Sequence, residues 1–134
     1  VIPLIMGDCD PHHCHVLSEA LLQVMDDDTL IVVSSDFTHY GESFRYVPFV
    51  DDVAHQIRCV DMAAIDAIRS TDVRTFQDWI QNNKNTICGR HAIAVALELL
   101  PSNINIDCVH YAQSAEMNGD WSHSVSYAAL VASE

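Results

Sequence analysis

The chain has 134 residues and a formal charge of −13, from 19 Asp plus Glu against 6 Lys plus Arg. It is one domain in size, and it lacks the clustered cations that a nucleic acid or an anionic membrane surface demands. Hydrophobic residues at 49% suffice for a packed core, and no apolar run reaches the roughly 18 residues of a membrane-spanning helix. The five cysteines, Cys9, Cys14, Cys59, Cys88 and Cys108, are odd in number and irregular in spacing. No paired C-x-x-C occurs, which argues against a structural zinc site, and nothing resembles a signal peptide. Reduced thiols and a cytoplasmic location are the expectation.

In chain order, residues 1–6 are an apolar run that reads as a buried strand ended by Gly7. The run is already under way at Val1, so the chain is expected to be part of a longer protein. Asp10-Pro11 starts a helix, Asp10 as N-cap and Pro11 at the first helical position. Val16, Leu17, Ala20, Leu21 and Val24 follow at helical spacing, and Asp26-Asp27-Asp28 closes the helix. Residues 29–35 form a continuous apolar, β-branched run, read as a central strand. Strand, helix and strand within 35 residues make a βαβ unit, hence an α/β fold with a mostly parallel sheet covered by helices on both faces. A polar, aromatic loop follows from Asp36. Val50, Val53, Ile57, Ala64, Ile65 and Ile68 mark a long amphipathic helix. A second helix covers residues 73–80, capped by Asp72, and residues 82–85 are a turn. Residues 89–100 are apolar nearly all round, a buried helix stopped by Pro101. Residues 104–111 and 124–132 read as two last strands.

Three places could carry chemistry. Asp36 and His39 directly follow the strand at 29–35, where ligands bind in parallel α/β sheets. Histidine suits proton transfer near neutral pH, and a carboxylate three residues away can fix its tautomer; the alternative is an exposed loop with a capping Asp. Cys88 opens the buried helix, where the helix dipole and Arg90 favour a thiolate able to attack an electrophile or bind a soft metal. Gly89 beside it permits close approach of a ligand or backbone. The alternative is an inert, buried cysteine. The segment Cys9-Asp10-Pro11-His12-His13-Cys14-His15 crowds potential ligands into seven residues. They fan out around the first turn of a helix, so solvated polar residues are the simpler reading. His55 and His110 read as exposed or merely packed, and Tyr111, Trp121 and Tyr127 as core or rim aromatics.

Ser34-Ser35-Asp36-Phe37-Thr38-His39-Tyr40-Gly41 with Phe44-Arg45-Tyr46, then Asn85-Thr86-Ile87-Cys88-Gly89-Arg90-His91, Tyr111-Ala112-Gln113-Ser114 and Ser124-Val125-Ser126-Tyr127-Ala128-Ala129, resemble the Memo family, mediators of receptor-driven cell motility. The motifs occur in order over nearly the whole chain, which looks like the C-terminal half of longer family members. The resemblance implies half of an α/β sandwich like that of class III extradiol dioxygenases. Those enzymes hold non-haem iron with two His and one carboxylate, beside a catalytic His. It implies that Cys88 takes the carboxylate's place as metal ligand, that His39 with Asp36 takes the catalytic position, and that two His come from the N-terminal half. Arg90, His91 and Tyr40 are the implied substrate- or ligand-binding side chains. A thiolate favours copper, with iron as the other choice, and argues against ring cleavage. The function implied is metal-dependent redox chemistry or signalling. The alternative is a non-catalytic module binding phosphotyrosine peptides, which sits awkwardly with the acidic composition. His39 and Cys88 are therefore expected to meet in one pocket. Apolar surface is expected to lie exposed, or to pair with the N-terminal half of the same protein.

Overall fold

Asp10 caps the first helix, its carboxylate accepting from the His13 amide at 2.8 Å with Pro11 at the first helical position. This computed structural model describes residues 1–101 and 103–133. Helix α1 spans Pro11–Leu22 and ends before the aspartates, where Asp26 and Thr29 close a turn of their own. Its inward face is Cys14, Leu17, Ser18 and Leu21, while Val16 and Val24 are exposed. The helix lies against α4 (Arg90–Leu99), and Glu98 of α4 holds both His15 Nδ1 at 2.6 Å and Ser18 Oγ at 3.0 Å.

Helix α2 (Val53–Arg69) buries Ile57, Ala64, Ile65 and Ile68, the stripe its periodicity marks. Helix α3 (Val73–Asn83) is capped by Asp72 and ends at Lys84 in the left-handed conformation. Helix α4 begins after Gly89, and Pro101 follows its end. Phe76, Ile65, Ile87 and Leu97 meet at the centre of the core, with Ile106 and Phe37 packing from the sheet side.

The sheet corrects the expected topology. Strand β1 (His39–Gly41), β2 (Asn105–Gln113) and β3 (His123–Ser133) are ordered β1-β3-β2. Every ladder among the described residues is antiparallel, not parallel. A short helix α5 (Ala115–Asn118) joins β2 to β3. Residues 1–6 and 29–35, expected as strands of a βαβ unit, enter no ladder. Ile2, Ile5, Leu30 and Val32 stand in solvent. The reason is physical. An apolar run marks surface that favours a cover, but it does not say which segment supplies that cover or which backbone pairs with its N–H and C=O groups. The antiparallel pair at the C-terminal end can close through its own connection, whereas a parallel ladder needs partners distant in sequence.

Candidate metal centre

Strand β1 fixes the centre. His39 pairs with Val125 across the β1–β3 ladder, and just before it Phe37 N–H donates to Ser126 O at 2.9 Å. The Asp36–His39 loop therefore rides on the edge of the longest strand. Thr86 clamps it from the other side: the His39 amide donates to Thr86 Oγ1 at 2.7 Å, and that hydroxyl donates back to His39 O at 3.0 Å.

The imidazole is oriented by backbone. His39 Nδ1 faces two carbonyl oxygens, Phe37 O and Thr86 O, each at 3.0 Å. Carbonyls only accept, so Nδ1 carries the hydrogen and Nε2 keeps its lone pair. Nε2 lies 3.7 Å from Asp36 Oδ2, too far for a hydrogen bond. Cys88 completes the group, since one donor atom each of Asp36, His39 and Cys88 lies within 4.8 Å of the others. The Asp36 amide donates to Cys88 Sγ at 3.2 Å, which ties the sulfur to the loop that carries His39. Cys88 is exposed, so the inert, buried alternative does not describe it.

Gly89 makes this approach possible. A Cβ there would run into Ser35, with Ser35 Oγ at 2.6 Å and Ser34 O at 3.1 Å. The Gly89 amide instead donates to Ser35 Oγ at 2.9 Å, which in turn donates to Asp36 O at 2.9 Å. The close partner is thus the chain's own loop.

The donor set suits a transition metal. Cys88 Sγ offers the soft ligand, and His39 Nε2 and Asp36 Oδ2, 3.7 Å apart, stand beside it. The segment at residues 9–15 does not compete: among the described residues no metal-sized group includes it. His13 binds its own cap Asp10, His15 turns to Glu98, and Cys14 meets Cys9.

The expected ligand-binding residues divide. Arg90 Nη2 and His91 Nε2 converge on the same Asp8 oxygen, each at 3.2 Å, at the border of a cavity of about 930 Å³ that Cys88 also lines. Tyr40 does not join them. Its ring is buried against Phe49 and its hydroxyl donates to Phe49 O at 2.6 Å, so burial holds the phenol above its usual range. The polar base of the site was not foreseen. Asp61, fully buried on α2, accepts from Thr38 N–H at 3.2 Å, Thr38 Oγ1 at 2.6 Å and Tyr111 OH at 2.6 Å. Asn85 donates to Thr38 Oγ1 and accepts from the Ile87 amide. The signal lay in the sequence: one carboxylate interrupts the apolar stripe Ile57, Ala64, Ile65, Ile68, and a charge there requires buried partners.

The Asp36, His39 and Cys88 donor group lies on the seam between the loop before β1 and the start of α4. The Memo-like protein family matches residues 1–131. Protein MEMO1 of Homo sapiens is 34% identical over 139 residues, covering 96% of this chain and 47% of the human protein. Protein MEMO1 of Xenopus laevis is 31% identical with the same coverage. A MEMO1 family protein of Thermococcus kodakarensis is 28% identical, covering 98% of this chain and 48% of its own length. The chain belongs to the Memo-like family. It spans about half the length of the curated relatives it matches.

Proposed function

We propose that this chain is the C-terminal half of a Memo-like metal protein, with Cys88 as a ligand and His39 as the acid–base residue, assisted by Asp36. The observation that carries this is the convergence of Cys88, His39 and Asp36 donor atoms within 4.8 Å although 49 positions separate the Cys from the His. Two histidines of the N-terminal half complete the set, and the joined halves form the α/β sandwich of class III extradiol dioxygenases. The protein works in the cytoplasm, in redox chemistry or in the signalling that drives cell motility. No helix of the described residues is long and apolar enough to cross a membrane.

Copper is the favoured ion and iron the second, because thiolate and imidazole together select soft or redox-active metals. Such an ion, when bound, supplies one-electron redox chemistry. The chain's residues supply the rest. The two carbonyls on Nδ1 hold the ring and its tautomer, and Nε2 takes and returns a proton beside Asp36. The Asp36 amide orients the Cys88 sulfur.

A phosphotyrosine peptide is the second reading, and one observation favours it: Arg90 and His91 already grip one anionic oxygen, that of Asp8. A phosphate would have to displace that carboxylate.

The test is a copper(I) titration of the full-length protein and its Cys88→Ser and His39→Ala variants. Loss of a mere supporting partner costs about 10–100-fold in metal affinity, so Cys88→Ser should cost more than that. His39→Ala should retain more binding and lose more turnover. Equal copper affinity in wild type and Cys88→Ser would overturn the assignment.

A further inference from the structure

Cys9 and Cys14 lie outside the proposed metal centre, yet their sulfurs are 3.1 Å apart. Cys14 closes the first turn of α1, fully buried, and Cys9 is half-buried just ahead of the Asp10 cap. The capped helix start folds the chain back so that the two thiols meet across five positions. We propose that Cys9 and Cys14 form a reversible dithiol–disulfide oxidation site whose oxidant is a hydroperoxide.

The geometry distinguishes the two roles. Cys14 S–H donates to Cys9 Sγ, and Cys9, half-buried where Cys14 is fully buried, is the sulfur a solvent-borne oxidant can reach. Cys14 is shielded, and burial followed by its contact with Cys9 pushes its thiol up to about 12. Cys9 as thiolate attacks one oxygen of hydrogen peroxide. The O–O bond breaks, the other oxygen leaves as hydroxide, and Cys9 becomes a sulfenic acid. Hydroxide takes up the proton that Cys9 lost and becomes water. Cys14 sulfur then attacks Cys9 sulfur, the S–S bond forms, and the sulfenic oxygen leaves as a second water with the Cys14 proton. Two thiols lose two electrons in all, and one peroxide gains them. Closure needs the sulfurs to move from 3.1 Å to the roughly 2.05 Å of a disulfide.

A copper(I) site on the same pair fits less well. Two sulfurs on one ion, each at roughly 2.3 Å, stand apart by more than these do when the ion lies between them in line. It would also need Cys14 as thiolate, against its burial. The simpler alternative, a small apolar thiol touching another by packing, predicts no preference for this pair over the exposed Cys59 and Cys88.

The experiment uses a bond the sequence provides. Asp10–Pro11, an acid-labile linkage, lies between the two cysteines. The purified protein is treated with hydrogen peroxide, alkylated in denaturant, cleaved in dilute acid at that bond and analysed by mass spectrometry with and without prior reduction. The expected result is that the fragment ending at Asp10 stays joined to the one starting at Pro11 until a thiol reductant releases it. Cys14→Ala should leave a sulfenic acid on Cys9 that dimedone traps, and Cys9→Ser should leave Cys14 unoxidised. The proposal is overturned if Cys9 and Cys14 are both still alkylated after Cys59 and Cys88 have been oxidised. It is equally overturned if peroxide leaves the two fragments separable without reduction. Further digestion and tandem mass spectrometry of the joined wild-type fragments assign the bridge to Cys14, and a bridge from Cys9 to Cys59, Cys88 or Cys108 instead would also overturn the proposal, whether or not a variant folds.

Discussion

The His39 ring is oriented by backbone atoms that substitution of its neighbours does not remove, while its main chain depends on one side chain. Its Nδ1 partners are backbone carbonyls, and its own amide and carbonyl are tied to one threonine hydroxyl. Beneath it, Asp61 fixes Thr38, the residue before His39, and so sets where β1 begins. Asp61→Ala would leave the Thr38 amide, the Thr38 hydroxyl and the Tyr111 hydroxyl without their acceptor. Each buried donor so orphaned costs about 1–3 kcal/mol, so urea unfolding should show a loss of several kcal/mol. Asp61→Asn keeps one acceptor oxygen and should recover most of that. The pH dependence has a definite sign. Burial is the largest influence on Asp61 and raises its carboxyl above the usual value of 3.8, against the hydrogen bonds that lower it. The folded state therefore holds the proton more tightly than the unfolded chain. The contribution of Asp61 to stability is fully present below pH 3.8 and is lost as pH rises through the folded value. Unfolding measured at pH 4 and pH 7 should show Asp61→Asn gaining on wild type at the higher pH. A parallel course of the two proteins would show that Asp61 does not titrate in this way.

Helices α1 to α4 were legible because each carries local signals that need no partner. Asp10-Pro11 and Asp72 cap α1 and α3, Ile57 to Ile68 stripe α2, and Pro101 stops α4. Strands β2 and β3 were legible for a similar reason, being runs close enough in sequence to meet. The runs at 1–6 and 29–35 were misread, because ladder partners are a property of the whole chain and not of a segment. The meeting of Asp36, His39 and Cys88 was anticipated through the family resemblance and through the position of Cys88 at a helix start. Asp61 shows in the sequence only as a carboxylate on the apolar stripe of α2, and its partners Thr38 and Tyr111 lie too far along the chain to be read from it. The seam between the loop and α4 has no slack at Gly89, where any Cβ meets Ser35. Gly89→Ala must push the loop away or shift α4, and overpacking of this kind typically costs about 1–3 kcal/mol. Differential scanning calorimetry should show a lower Tm, and the metal affinity of the full-length protein should fall with it, because Ser35 and Asp36 move together. Unchanged stability and unchanged affinity would mean that the close approach at Gly89 is not needed for either.

At the scale of the whole molecule, the two apolar runs that lack ladders line one cavity of about 930 Å³, together with Leu17 and Leu21 of α1 and Val95 and Leu99 of α4. Ile2 is 89% exposed, Leu30 84% and Val32 80%. Contiguous exposure of this kind marks an interaction face rather than a finished surface. The occupant we propose is the N-terminal half, since the chain spans 47% of human MEMO1. The same half is proposed to bring the two metal-binding histidines, so docking and metal affinity should stand or fall together. Leu30→Asp and Val32→Asp test this without touching Cys88, His39 or Asp36. In the 134-residue chain alone these exposed positions should tolerate the change, with unfolding free energy within about 0.5 kcal/mol of wild type, as for surface substitutions generally. In the full-length protein the same changes place a charge against apolar surface. A carboxylate that loses water without a partner is strongly unfavourable, so the halves should separate on limited proteolysis and copper(I) affinity should fall to that of the isolated chain. A full-length Leu30→Asp, Val32→Asp protein that keeps both its protease resistance and its copper affinity would show that this face is not where the other half packs.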